Sequence, residues 1–341
     1  MMLHKSNFVL AIGLSVVALT ACSDKQEEVK PDPSKQVVAP STPSASVVEA
    51  PPADSPASNT QDPPKPSGQE DDPNWMCPQG TSGAKMVLIP VKAGTPYCID
   101  EREATYGEYG KFVDAKGKDF SGQPPECAWN DDYGPVVDWE VQGAEDLPPR
   151  KCGPSLAEAH PDRALKCVDF CDAWMFCAHN GKRLCGLRGA EAGKVNMVDR
   201  ENDGLGDDPA ARLGLSSESE WYNVCTQGGT TAFPYGSKYD PGRCVDAARI
   251  AAEGDTARNV SDTAGNECRG TQAPYDRVYN MSGGHAEWLN ICRGPACATD
   301  GGDWGNDSLS CSGSFGVDHM REFRIGVRCC ADAAPKTVKG R

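Results

Sequence analysis

YNMSGGHAEW, residues 279–288, sets Asn280 and Glu287 seven positions apart around the paired glycines Gly283 and Gly284. Such a stretch reads in three ways. It is a tight turn with Glu287 in a hydrogen-bond network, a loop whose oxygens wrap a hard cation, or one motif of a longer ordered series. In the second reading the glycines turn backbone carbonyls inward. The remainder of the chain decides among them.

The 341-residue chain carries 17 cysteines, 34 Lys+Arg and 49 Asp+Glu, for a formal net charge of -15. So acidic a protein lacks the basic patch that a phosphate backbone requires, which argues against nucleic acid and suits divalent cations. At the N-terminus Lys5 precedes the apolar run FVLAIGLSVVAL, residues 8–19, and LTAC ends at Cys22. The run is too short to span a bilayer as a mature helix, and small residues stand before the cysteine. The pattern resembles a bacterial lipoprotein signal. Residues 1–21 are then expected to be removed and Cys22 acylated. The protein would sit in the cell envelope, at the periplasmic face or the cell surface, with the membrane as a partner through its lipid anchor. Setting Cys22 aside leaves sixteen cysteines, an even number in an oxidising compartment, and so predicts a disulfide framework. The CxxC spacing of zinc sites does not occur.

Residues 22–75 are rich in Pro, Ser, Ala and acids and have no apolar periodicity. They cannot bury enough to offset their chain entropy and read as a disordered tether. A folded domain is expected over 76–334, followed by a basic tail, 335–341. Three short helices can be placed. Thr105 and Glu108 form a capping box ahead of Tyr109, Phe112 and Val113. Phe170, Ala173, Trp174 and Cys177 follow helical spacing up to Gly181. Ser217 with Glu220 caps a third helix carrying Trp221, Val224 and Cys225 inward. MVLIPV and FRIGVRCC are short apolar pieces in a chain otherwise rich in Gly, Asp and Asn.

KMVLIP (85–90), YCIDEREATYGEYGKFV (97–113), CVDFCDAWMFCAHNGKRL (167–184), SESEWYNVC (217–225), FPYG (233–236), YNMSGGHAEW (279–288), GGDW (301–304) and IGVRCC (325–330) occur in that order. Together they resemble the formylglycine-generating, sulfatase-modifying factor family across essentially the whole domain. The similarity is greatest to its cysteine-rich, lipid-anchored members from bacteria such as the myxobacteria. The resemblance implies an α+β fold, the family's variant of the C-type-lectin fold, loop-rich and here stapled by disulfides. It implies that the opening stretch binds calcium through the side chains of Asn280 and Glu287 and the backbone carbonyls of Gly283 and His285. His285 stands where the family usually has a small or apolar residue. It also implies the bridges Cys177–Cys329, with Cys330 the adjacent alternative, and Cys225–Cys311. Locally, Cys292 and Cys297 flank RGPA and could close a short loop, and Cys244 and Cys268 a longer one.

A second ion site is conceivable in VDRENDGLGDD, residues 198–208. Asp199, Glu201, Asp203, Gly204 and Asp207 match positions of a calcium loop, but Ala210 stands where the bidentate Glu belongs. A solvated acidic insertion is the plainer reading.

The family's best-known enzymes use Cu(I) and oxygen to oxidise a protein cysteine to formylglycine, through two cysteines that follow an RGGS segment. Here the segment reads ATDGGDWGNDSLSCSGSF, residues 298–315. The copper ligands align with Asn306 and Cys311, or Cys311 is structural, and either way the thiolate pair that Cu(I) favours is missing. Copper is therefore not expected. His160, His179, His285 and His319 are scattered singly, without an iron-binding spacing. Three functions follow. The first is a lipid-anchored binding or structural module without catalysis, facing an envelope protein or glycan partner. The second is an active formylglycine-generating oxidoreductase acting on protein cysteine. The third is a lectin-like glycan binder using Trp129, Trp139 and Trp304.

Overall fold

A computed structural model describes residues 74–336, apart from 93, 137, 140–149, 192, 199–216, 261–264, 303–309, 314 and 319–324. The expectations on residues 1–21, Cys22, the tether up to residue 73, the acidic loop Asp199–Asp207, Trp304, Asn306 and His319 lie outside the described residues.

The chain first forms β1 (Trp75–Met76), which pairs antiparallel with β12 (Ala334–Pro335), while Lys336 N–H reaches Asn74 O. Trp75 and Pro335, on either side of the expected 76–334 domain, are thus joined in one ladder. Two four-stranded sheets carry the fold. One orders β2 (Met86–Ile89), β3 (Tyr97–Asp100), β11 (Cys329–Asp332) and β6 (Arg183–Leu184), antiparallel throughout. The other orders β10 (Ile325–Gly326), β7 (Ala286–Arg293), β8 (Ala296–Asp300) and β9 (Phe315–Asp318). Its β10–β7 pair is parallel. A further pair joins β4 (Asp138–Trp139) and β5 (Arg150–Lys151).

Helix α1 (Tyr106–Lys116) starts from the Thr105–Glu108 capping box and buries Tyr106, Tyr109 and Phe112. Helix α2 (Phe170–His179) is capped by Asp169, and all its residues from Phe170 to Cys177 are buried, so it runs through the core. Helix α3 (Glu220–Cys225) is capped by Ser219, whose hydroxyl accepts from Tyr222 N–H. That corrects the expected Ser217 cap. Glu220 is the first helical residue, and its carboxylate is held by Arg183 at 2.6 and 2.7 Å. Helix α4 (Ala247–Glu253) had no apolar stripe to announce it and buries nothing; Asp246 caps it.

Trp288, Trp221, Phe170, Tyr109 and Phe112 are fully buried. Each such side chain contributes about 2–3 kcal/mol. The short strands bury too little alone, and covalent ties supplement them. Bridges join Cys77–Cys98, Cys127–Cys171, Cys152–Cys167, Cys177–Cys329, Cys185–Cys330, Cys225–Cys311, Cys244–Cys268 and Cys292–Cys297. Every cysteine after Cys22 is in a bridge. Cys329 and Cys330 point to opposite faces of β11, as neighbours on a strand must, so one reaches α2 and the other Cys185.

Candidate functional site

The 279–287 stretch runs along the base of β7. Asn280 sits at φ 56°, in the left-handed region that Asn tolerates better than most residues, and Gly283 and Gly284 follow at 77° and 69°. Two backbone bonds anchor the turn: Gly283 N–H to Gly301 O at 3.1 Å and Gly284 N–H to Val245 O at 2.7 Å. Asn280 Oδ1 accepts from Asn266 Nδ2 at 3.0 Å.

Glu287 is 1% exposed and heavily engaged. Arg328 Nε donates to both of its oxygens, at 3.0 and 2.8 Å, and Trp221 Nε1 donates to Oε2 at 2.6 Å. Burial raises the Glu287 carboxyl and the Arg328 charge opposes that. The rest of the Arg328 guanidinium binds Asp100 O at 3.0 Å, Tyr279 O at 2.9 Å and Asn280 O at 3.5 Å. One arginine therefore ties β3, the loop and β7 together. Sequence reasoning passed over it. The available signal was a charged residue inside the apolar IGVRCC run, where an unpaired charge is too costly to keep.

A second buried pair lies beside it. Lys182 Nζ meets Asp100 Oδ1 at 2.5 Å and also donates to Ala84 O at 2.8 Å. Cys329 N–H donates to Asp100 Oδ2 at 3.2 Å. Burial still pushes the Asp100 carboxyl up to about 6, against the pull of Lys182.

Glu103 is different. Its side chain is 1% exposed, and it faces the His285 N–H and the Asn280 amide rather than a lysine or arginine in ion-pair contact among the described residues. His285 Nδ1 lies 3.8 Å from Oε1. Burial pushes the Glu103 carboxyl up to about 7, opposed first by the charge of Arg328 and then by the facing His285 N–H and Asn280 amide. A Cβ at Gly284 would lie 3.1 Å from Glu103 Oε1, so the carboxylate occupies the space this glycine leaves.

The structure thus gathers Asn280, Gly283, His285 and Glu287 on one turn, and it adds Glu103. Among the described residues no three or more His, Cys, Asp or Glu side chains are grouped to hold a metal. A cation here would meet neutral oxygens and two carboxylates, of which Glu287 is already bound by Arg328 and Trp221, a hard-oxygen donor set suited to calcium and unsuited to a soft ion. The copper donors fit less well. Cys311 is bonded to Cys225, and Asn306 is beyond the described residues. Trp129 is 49% exposed. A pocket of about 410 Å³ opens elsewhere, lined in part by Trp174, Arg183 and Asp332. Among the described residues no helix is long and apolar enough to cross a membrane.

A family model described as a sulfatase-modifying factor enzyme 1-like domain matches residues 83–333. No curated protein matches the chain. Among solved structures, PvdO from Pseudomonas aeruginosa is 16% identical, with a TM-score of 0.42 over 76% of this chain and 90% of that one. CarF is 14% identical, with a TM-score of 0.36 over 74% of this chain and 95% of that one.

Proposed function

We propose, for a chain that belongs to the sulfatase-modifying factor family, that it serves as a lipid-anchored extracytoplasmic binding or structural module rather than as a thiol-dependent oxidase. One observation carries this reading: Cys311, the cysteine that follows GGDW, is covalently committed to Cys225. The family's Cu(I) chemistry runs through a pair of thiolates, and a sulfur in a disulfide is neither a thiolate nor a nucleophile. The other cysteines of the domain are bridged as well, so none is left to take its place. The pocket beside Trp174 offers the binding reading a concave surface on which an envelope protein or glycan could rest.

The test is a thiol count on the native protein with peptide mapping under non-reducing conditions. The domain should yield no free thiol and a linked peptide joining Cys225 to Cys311. A free Cys311, together with aldehyde formation in a cysteine-containing peptide, would overturn the reading in favour of the oxidase. A glycan-array signal lost on Trp129→Ala would favour the lectin-like alternative. The anchor has its own test. Cys22→Ala should abolish incorporation of labelled fatty acid and release the protein from membranes. In this reading calcium at the 280–287 loop is a structural ligand.

A further inference from the structure

We propose that the pocket beside Trp174 binds an N-acetylamino sugar through a break in the edge formed by β11 and β12. The proposal rests on reading this pocket as the binding surface of a non-catalytic module, and it names the ligand. Main-chain groups point to alternate sides along a strand. Ala333 N–H donates to Pro96 O at 3.3 Å, so the odd-numbered residues of this edge face β3. The even-numbered ones face the other side. There Cys330 meets Arg183 of β6, and Ala334 meets Met76 of β1. Asp332 falls between the two strands. Continued in register, the β6 ladder would bring Gly181 opposite it and the β1 ladder Pro78. Gly181, at φ 71°, turns away and gives its N–H to Ala178 O at the end of α2, and Pro78 has no N–H to give. The N–H and C=O of Asp332 therefore make no ladder bond on this side among the described residues.

Pro78, Gly181 and Asp332 all line the pocket, whose volume of about 410 Å³ suits a small ligand. Trp174 is 7% exposed on its wall, and the indole N–H has no partner among the described residues. Arg183 holds Asp332 Oδ1 at 2.7 and 3.1 Å, which leaves Oδ2 open. A ligand with one amide answers both main-chain groups of Asp332, as a neighbouring strand would. From Cys330 to Ala334 the break spans about 13 Å. Strands β6 and β1 stand at its two ends, so an extended peptide laid along the edge would collide with them. A compact ligand fits between. The acetamido group of a hexosamine supplies the single amide. Its ring hydroxyls can donate to Asp332 Oδ2 and accept from the Trp174 N–H, while the acetamido methyl meets apolar wall.

Saturation-transfer NMR on the full chain tests this, with N-acetylglucosamine, glucose and N-acetylalanine methylamide as probes. N-Acetylglucosamine should bind with a Kd of about 1 mM, as befits so small a ligand. Its acetamido methyl should receive the strongest saturation. Glucose should bind roughly tenfold more weakly or worse, because it leaves the Asp332 main chain unanswered. Ala178→Phe, at an exposed position on the pocket wall, should abolish binding and leave the melting temperature unchanged. Asp332→Pro removes the N–H that faces the break and no ladder bond, so it should fold and weaken binding roughly tenfold. Asp332→Ala keeps that N–H and should weaken binding less. If Asp332→Pro does not fold, Ala178→Phe and the glucose comparison decide. Glucose bound as well as N-acetylglucosamine, or binding kept by Ala178→Phe, overturns the proposal. Binding of the methylamide alone overturns the sugar in favour of a peptide. Binding of no probe overturns the ligand assignment, whereas the module reading stands or falls separately on its thiol count.

Discussion

Asp100 and Glu103 stand three residues apart at the end of β3, and both are buried, but their surroundings differ completely. Asp100 ends β3 within the β2–β3–β11–β6 sheet, with a lysine, a backbone N–H and two adjacent bridges around it. Glu103 faces a glycine turn, the His285 N–H and the Asn280 amide, with no lysine or arginine in ion-pair contact among the described residues. The first region is closed: each charge is matched and the chain is tied covalently at Cys329 and Cys330. The second is open. The difference teaches where, among the described residues, a buried charge is least compensated. Satisfied, charge-matched networks hold a fold together, whereas a buried carboxylate met only by neutral donors holds its proton more tightly.

The largest expected effect lies on the closed side. Cys177–Cys329 and Cys185–Cys330 close chain segments of 152 and 145 residues, and they nest almost completely. In the chain-entropy picture, replacing one pair by serines costs about 3 kcal/mol, because the surviving bridge still closes the long loop. Replacing both should cost about 8 kcal/mol and leave the domain unfolded at ambient temperature. Chemical denaturation of the three variants checks this. Equal losses from one and from both would break the picture of a covalently closed region.

Next in size is Arg328→Leu. It strands Glu287 and should destabilise by about 3–5 kcal/mol, as removal of one partner from a buried pair does. Adding Glu287→Leu should restore part of the loss, since two apolar groups do not need one another's charge. A double variant no better than the single one would show that the backbone contacts of Arg328 to Asp100, Tyr279 and Asn280 matter more than its ion pair.

The smallest effect isolates the open side through pH. The Glu103 carboxyl is raised from 4.5 to about 7 in the folded protein, so the folded state holds its proton more tightly than the unfolded chain. Stability assigned to this group is therefore full below about pH 4.5 and is lost as pH rises towards 7. In chelator, Glu103→Gln should match wild type near pH 4 and exceed it by up to about 3 kcal/mol above pH 7. Denaturation curves across this range check the sign, and a difference that grows towards acid pH would mean that Glu103 has a strong partner after all.

Much of this was legible in the residues. The Thr105–Glu108 capping box, the apolar spacing of α2 and the inward face of α3 follow from local rules, and the structure has all three. The α3 cap was misplaced by two residues because Ser217 and Ser219 both qualify locally, and only Arg183, from a distant strand, claims Glu220. Helix α4 had no apolar periodicity to read. At the site, the family resemblance pointed to Asn280, Gly283, His285 and Glu287, which lie on one contiguous stretch. It passed over Asp100 and Glu103, Lys182 and Arg328 because these lie on three separate segments.

The sequence by itself determined the α+β, loop-rich and disulfide-stapled class and the family to which the chain belongs. An ordered series of motifs and an even set of cysteines survive in one dimension. Only the tertiary structure decided which buried charge answers which. Arg328 meets Glu287 across 41 residues of chain, and Lys182 meets Asp100 across 82. Electrostatic pairing in a buried site depends on ångström distances and excluded water, and neither is written along the chain.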